Sequence, residues 1–169
     1  MASTYSVIAT NTVSGSSTAL VTFSGVPSTY TDIFIVASVA TVSGTSSYLD
    51  MNFNSDTSSN YSATTMYTNG SSTGSGNLSN RTAVPCGIEY VGTTTSSFQS
   101  FEINVFSYAN TNFFKSVLSK SGQFSSNFVG FTAGLWRSTS AISTISLGYA
   151  TGNFRAGSTF TLYGIKAGS

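Results

Sequence analysis

Chemistry is carried by few residue types, and this chain holds little of them. Its 169 residues include five carboxylates (Asp32, Asp50, Asp56, Glu89 and Glu102), six cations, one Cys and no His. Without imidazole there can be no Ser-His-Asp triad, Cys-His dyad, His-ligated metal centre or histidine pH switch. The one metal-like spacing is Asp50-x-Asn52-x-Asn54-x-Asp56. Alternate residues of a strand share a face, so Asp50, Asn52 and Asn54 would line up, and Asp56 could curl in from the loop that follows. However, Ser55 stands where a calcium loop needs its turn glycine, and Tyr61 where it needs a bidentate glutamate. A solvated strand face running into an Asx-rich turn is the preferred reading. A glycosidase would need two converging carboxylates, and no local motif selects a pair among the five. We expect no catalytic residue, no metal ligand and no cofactor, and hence a non-enzymatic role.

Binding chemistry is also sparse. Trp136, Tyr61, Tyr67, Tyr90, Tyr108 and Tyr149 could stack on sugar rings. Aromatic residues in strands are more often core, and Trp136 lies in an alternating run with Gly134 and Thr132, so each is expected inside. Arg137, flanked by Trp136 and Ser138-Thr139-Ser140, is expected to end a strand with its guanidinium on carbonyls of the next turn; pairing with an acid of a neighbouring subunit is the alternative. Cys86 has no partner in the chain and reads as a small buried hydrophobe. Asn-x-Ser/Thr triplets at Asn60, Asn69, Asn77 and Asn80 are what chance yields from 12 Asn among 59 Ser plus Thr. Arg81, Lys115, Lys120, Arg137, Arg155 and Lys166 are scattered singly and the formal charge is +1, so no basic groove for nucleic acid is expected. Neither a signal-peptide pattern nor an apolar run approaching 20 residues is present, so no membrane partner is expected. Near-zero net charge leaves self-association electrostatically unopposed.

The elements that must position these residues read almost entirely as strands. Hydrophobic residues make up 40% and aromatics 14%, more than a disordered linker carries. Alternation is clear in Val84, Cys86, Ile88 and Tyr90 and in Leu49, Met51 and Phe53. Strands are predicted at about 4–10, 18–24, 31–42, 47–54, 61–68, 83–91, 97–107, 113–119, 127–137, 142–149 and 158–166, separated by turns such as Asn69-Gly70 and Ser121-Gly122. The expected fold is all-β: one domain over 1–169, an antiparallel β-sandwich, jelly-roll-like, of about 8–11 strands. Residues 1–20 would form an extended N-terminal arm or an edge strand. Ile33 to Ala40 and Phe128 to Leu135 are apolar on both faces, so each reads as a strand covered by a second layer or by another subunit. Asn69 to Asn80, with almost nothing to bury, reads as a long loop.

Several longer stretches carry a likeness. They are Val26-Pro27-Ser28-Thr29-Tyr30-Thr31-Asp32, Phe53 to Tyr61 (FNSDTSSNY), Tyr108-Ala109-Asn110-Thr111-Asn112, Gly134 to Ile142 (GLWRSTSAI) and Gly152 to Ile165 (GNFRAGSTFTLYGI). In these the chain resembles a group of virion structural proteins of tailed bacteriophages. The resemblance implies a virion component assembled in the bacterial cytoplasm, and supplies no active site. It fits a capsid decoration or cement protein that binds the major capsid protein and copies of itself, as a symmetric trimer. A tail fibre, baseplate or receptor-binding protein touching host glycan is the alternative, and decoration is preferred because no shaft repeat or attachment domain is visible. Arg155 places a charge where the group has a neutral residue.

Overall fold

β-Branched and aromatic residues at every second position favour a pleated, half-buried backbone. The computed structural model describes residues 4–15, 18–42, 47–89, 98–123 and 127–166. These form β1 (Tyr5–Thr12), β2 (Leu20–Ser24), β3 (Asp32–Val39), β4 (Ser47–Phe53), β5 (Tyr61–Thr68), β6 (Thr73–Arg81), β7 (Val84–Glu89), β8 (Gln99–Phe106), β9 (Lys115–Gln123), β10 (Phe128–Trp136), β11 (Thr144–Tyr149) and β12 (Thr159–Ile165), with no helix among the described residues.

Pairing is nested and antiparallel: β1 with β12, β2 with β11, β3 with β8 and β4 with β7. A ribbon wrapped in this way gives two four-stranded sheets, β1-β12-β3-β8 and β2-β11-β4-β7, which is the jelly roll. The remaining strands are two insertions, β5–β6 between β4 and β7 and β9–β10 between β8 and β11. They pair with each other through β5 and β10 and extend the first sheet to β1-β12-β3-β8-β9-β10-β5-β6. The expected antiparallel sandwich is therefore present, as a jelly roll with one sheet doubled in width. The N-terminal segment supplies an edge strand, β1.

The core lies between the sheets, where Ile33, Ile35, Leu49, Met51, Ile103, Ile145, Leu147, Phe160 and Leu162 are fully buried. Strand β7 crosses the added strands β9, β10 and β5, and it approaches closely because they present small groups there. The Ser119 hydroxyl donates to the Cys86 carbonyl, and a Cβ on Gly134 would lie 2.4 Å from Val84 Cγ1. Cys86 is buried, as its lone status suggested, and burial pushes its thiol well up.

All eleven predicted strands are present, but two expectations fail. The Ser121-Gly122 turn lies inside β9, where Ser121 packs inward and Gly122 pairs with Ser100 and Val129. The loop expected over Asn69 to Asn80 is a tight turn followed by β6. Asn69 Oδ1 accepts from the backbone N–H groups of Ser71 and Ser72 at 3.1 and 2.9 Å, closing the turn. Strand β6 has little to bury because its neighbour fills the space: the Tyr67 ring lies over its partner Gly74, where a Cβ would come within 2.5 Å.

Candidate functional site

Four loops, 25–31, 54–60, 107–114 and 137–143, meet at one end of the sandwich and hold much of four of the five stretches that carry the resemblance; the fifth, Gly152 to Ile165, lies in and before β12. Segments distant in sequence are thus neighbours in space. The Val26 N–H donates to the Ser143 carbonyl, that of Ile142 to Tyr108 and that of Arg137 to Asn60, each at 2.9 Å. The buried Tyr108 hydroxyl donates to the Pro27 carbonyl. Asn54, at φ 52°, donates from Nδ2 to the Ala141 carbonyl at 2.8 Å and accepts on Oδ1 from the Ser143 and Thr144 N–H groups at 2.9 and 3.1 Å. Asparagine tolerates this left-handed backbone better than most residues. Buried Lys115 reaches under the cluster, donating to the Phe113 and Thr139 carbonyls at 2.8 and 3.2 Å, and burial lowers its pKa. Above it Phe113 and Phe114 are exposed at the loop surface.

Asp56 is the polar centre of this end. Its Oδ2 accepts from the Trp136 indole at 2.8 Å and from Asn60 Nδ2 at 3.1 Å, and its Oδ1 accepts from the Ser58 N–H at 2.9 Å. The Trp136 bond is the main cause that holds the carboxyl at about 2. In the unfolded chain an aspartate titrates near 3.9, so between these values the unfolded state binds more protons. The stabilisation is complete above about pH 4 and is lost as pH falls through about 2. Asp56→Asn is expected to cost about 1 kcal/mol at pH 7, reduced from the full linkage value by solvent screening. At pH 2 it should cost almost nothing. Urea titrations of parent and variant at pH 2, 3, 4.5 and 7 check this; a difference independent of pH would contradict the assignment.

The spacing Asp50-x-Asn52-x-Asn54-x-Asp56 therefore does not converge on one centre. Strand β4 ends at Phe53, and the left-handed turn at Asn54 and Ser55 takes Asn54 off the face shared by Asp50 and Asn52. Asn52 Nδ2 donates to the carbonyls of Thr82 and Asp56, while the Asp56 carboxylate turns to Trp136. Asp50 sits 3.6 Å from Arg81; burial raises its pKa and the arginine opposes the rise. It lines a cavity of about 370 Å³ with Leu20, Asn52, Thr82 and Gly148. Asp32 accepts from the Ser107 N–H at 2.7 Å and Glu102 pairs with Lys120 at 2.9 Å. Glu89 ends β7, and its side chain and Tyr90 lie outside the described residues. Among the described residues no three Cys, Asp or Glu side chains are grouped as a metal would need.

The aromatic candidates are mainly core. Trp136, Tyr61, Tyr108 and Tyr149 are buried, with Trp136 stacked on Tyr61 at 6.2 Å and tilted against Phe53 at 5.4 Å. The Tyr61 hydroxyl donates to the Asp56 carbonyl at 3.0 Å, and burial pushes its pKa up to about 12. Tyr67 is half-buried and stacks on Phe128. Arg137 Nη2 donates to the Ser59 carbonyl at 2.6 Å, so its guanidinium bonds a turn carbonyl, but one of the 54–60 loop and not of the turn that follows it.

The surface feature that residue-type reasoning left open is the outer face of the eight-stranded sheet. Val36, Phe106, Leu118, Val129, Phe131 and Met66 all point outward, and Phe131 and Met66 are 48% and 61% exposed. Tyr5, Phe34 and Tyr163 add an aromatic group on β1, β3 and β12. The two-faced apolar character of Ile33 to Ala40 and Phe128 to Leu135 is the signal that pointed here. Comparison with protein-family models and with curated proteins finds no match to this chain.

Proposed function

We propose that the chain is a non-enzymatic structural protein of a phage virion, a capsid decoration or cement subunit that binds the major capsid shell as a homo-oligomer. The observation that carries this reading is the outer face of the wide sheet, where large apolar side chains on β3, β8, β9, β10 and β5 remain uncovered among the described residues. Broad apolar patches on soluble domains mark interaction surfaces. Asp32, Asp50, Asp56 and most candidate aromatics are committed to the fold, which leaves contact surfaces as the means of action. Jelly rolls occur in capsid proteins and in lectins, so the fold supports the setting by analogy alone.

A second reading, a tail fibre, baseplate or receptor-binding subunit touching host glycan, draws on Phe113 and Phe114. They stand 68% and 52% exposed on a loop braced by Asn110 and Lys115, and aromatic faces of this kind stack on sugar rings. Quantitative mass spectrometry of purified particles separates the two. Decoration requires a copy number comparable to that of the major capsid protein; a handful of copies per particle, released with tails, rejects it in favour of the second reading.

A further inference from the structure

We infer that the occupant of the outer sheet face is a second copy of this chain, packed face to face about a two-fold axis that runs along the strands between β8 and β9. The argument begins with register. Across six strands, Thr161, Val36, Glu102, Lys120, Phe131 and Met66 form one continuous cross-strand row. All six lie on the outer face, and the central ion pair is open to solvent, with Lys120 and Glu102 side chains 53% and 50% exposed.

Rotation about an axis between Glu102 and Lys120 lays this row over itself in reverse. Glu102 of each copy then faces Lys120 of the other, and Val36 faces Phe131. The row is self-complementary in charge at its centre and apolar against apolar one strand further out, as an isologous contact requires. A cavity of about 260 Å³ lined by Val36, Ser100, Glu102, Lys120 and Gly122 adjoins the position where the second copy's Phe131 ring arrives. An exposed ion pair contributes little to a monomer. Between two copies the doubled pair would fix register and orientation, the usual role of charge at an interface.

Size is also sufficient. Eight strands spaced about 4.8 Å apart, each about eight residues long at about 3.4 Å per residue, present roughly 1,000 Å². A standard-size interface needs about 800 Å² per partner. Strands Asp32–Val39 and Phe128–Trp136 are apolar on both sides, yet the second sheet covers only one. The trimer that the family resemblance suggested would need a heterologous contact, which a self-complementary row does not specify.

This inference rests on the assembly part of the proposed function. Its test is the mass of the full chain in solution, measured by light scattering after size exclusion across micromolar concentrations. The parent should have twice the 17.6 kDa chain mass. Glu102→Lys and Lys120→Glu should each raise the dissociation constant roughly a hundredfold, because each sets like charges opposite one another twice. An equimolar mixture of the two variants should dimerise like the parent, since one then offers two cations and the other two anions. Phe131→Asp should be monomeric with an unchanged circular dichroism spectrum. A monomeric or trimeric parent, a dimer indifferent to Glu102→Lys and Phe131→Asp, or a mixture that fails to pair would each overturn the two-fold contact. A monomeric parent that still coats particles in high copy overturns this contact alone and leaves the decoration reading standing.

Discussion

Replacing Trp136 by alanine is expected to lower the unfolding free energy by about 4 kcal/mol, the range for a large aromatic removed from a packed core. Three effects combine. The indole is 2% exposed and packs against Tyr61 and Phe53, so truncation leaves a cavity between the sheets. Its N–H is the main donor to Asp56, whose carboxylate also holds Ser58 and Asn60, so the 54–60 loop loses its anchor. Trp136 also ends β10, and Arg137 next to it ties that end to Asn60 and Ser59. Domains of this kind have about 5–15 kcal/mol of stability in all, so the variant should be at best marginally folded. Trp136→Phe keeps most of the packing and removes the donor, and should cost about 1–2 kcal/mol. Urea denaturation measures both; equal losses would mean that the bond to Asp56, and not packing, dominates.

The second large effect is expected at Gly134. A methyl group there would lie 2.4 Å from Val84 Cγ1 and 3.5 Å from Val117 Cβ, so β7 must move off the sheet. Val84 is buried and β-branched, with little rotameric freedom to yield. Gly134→Ala is expected to cost about 2–3 kcal/mol, as overpacking does. Because the clash is with one side chain, Val84→Ala in the same chain should recover part of that loss, giving a favourable coupling of about 1 kcal/mol. Strictly additive losses would mean that β7 does not lie as close to β10 as the structure places it.

Local signals made most of the fold legible. Alternating apolar residues such as Leu49, Met51 and Phe53 announce strands because a pleated backbone turns every second side chain inward. Strand β6 escaped because its inward positions are Gly74, Gly76 and Leu78, and the ring that covers Gly74 comes from Tyr67 on the neighbouring strand. The Asp56–Trp136 bond escaped because 80 residues separate its partners; Asp56 read locally suggested only a turn or a cation ligand. Val36 and Phe131 were visible as apolar residues on strands already apolar on their other face. Whether a layer or a subunit covered them depended on sheet order, which is set by the nesting of distant strands.

The scarcity of charge has a structural counterpart. Hydroxyls and amides do the work that ions do in other proteins: Asn54 ties two loops, Asn69 closes a turn, and Ser119 bonds β7 to the sheet. On the outer face Glu102 and Lys120 lie adjacent and central, paired with each other.

Electron cryomicroscopy of the intact particle tests the central claim most directly. The account predicts many copies of this chain on the capsid surface, with Val36, Glu102, Lys120 and Phe131 buried against a second copy. Copies confined to the tail, or a capsid-bound chain whose wide sheet face is open to solvent, would contradict it.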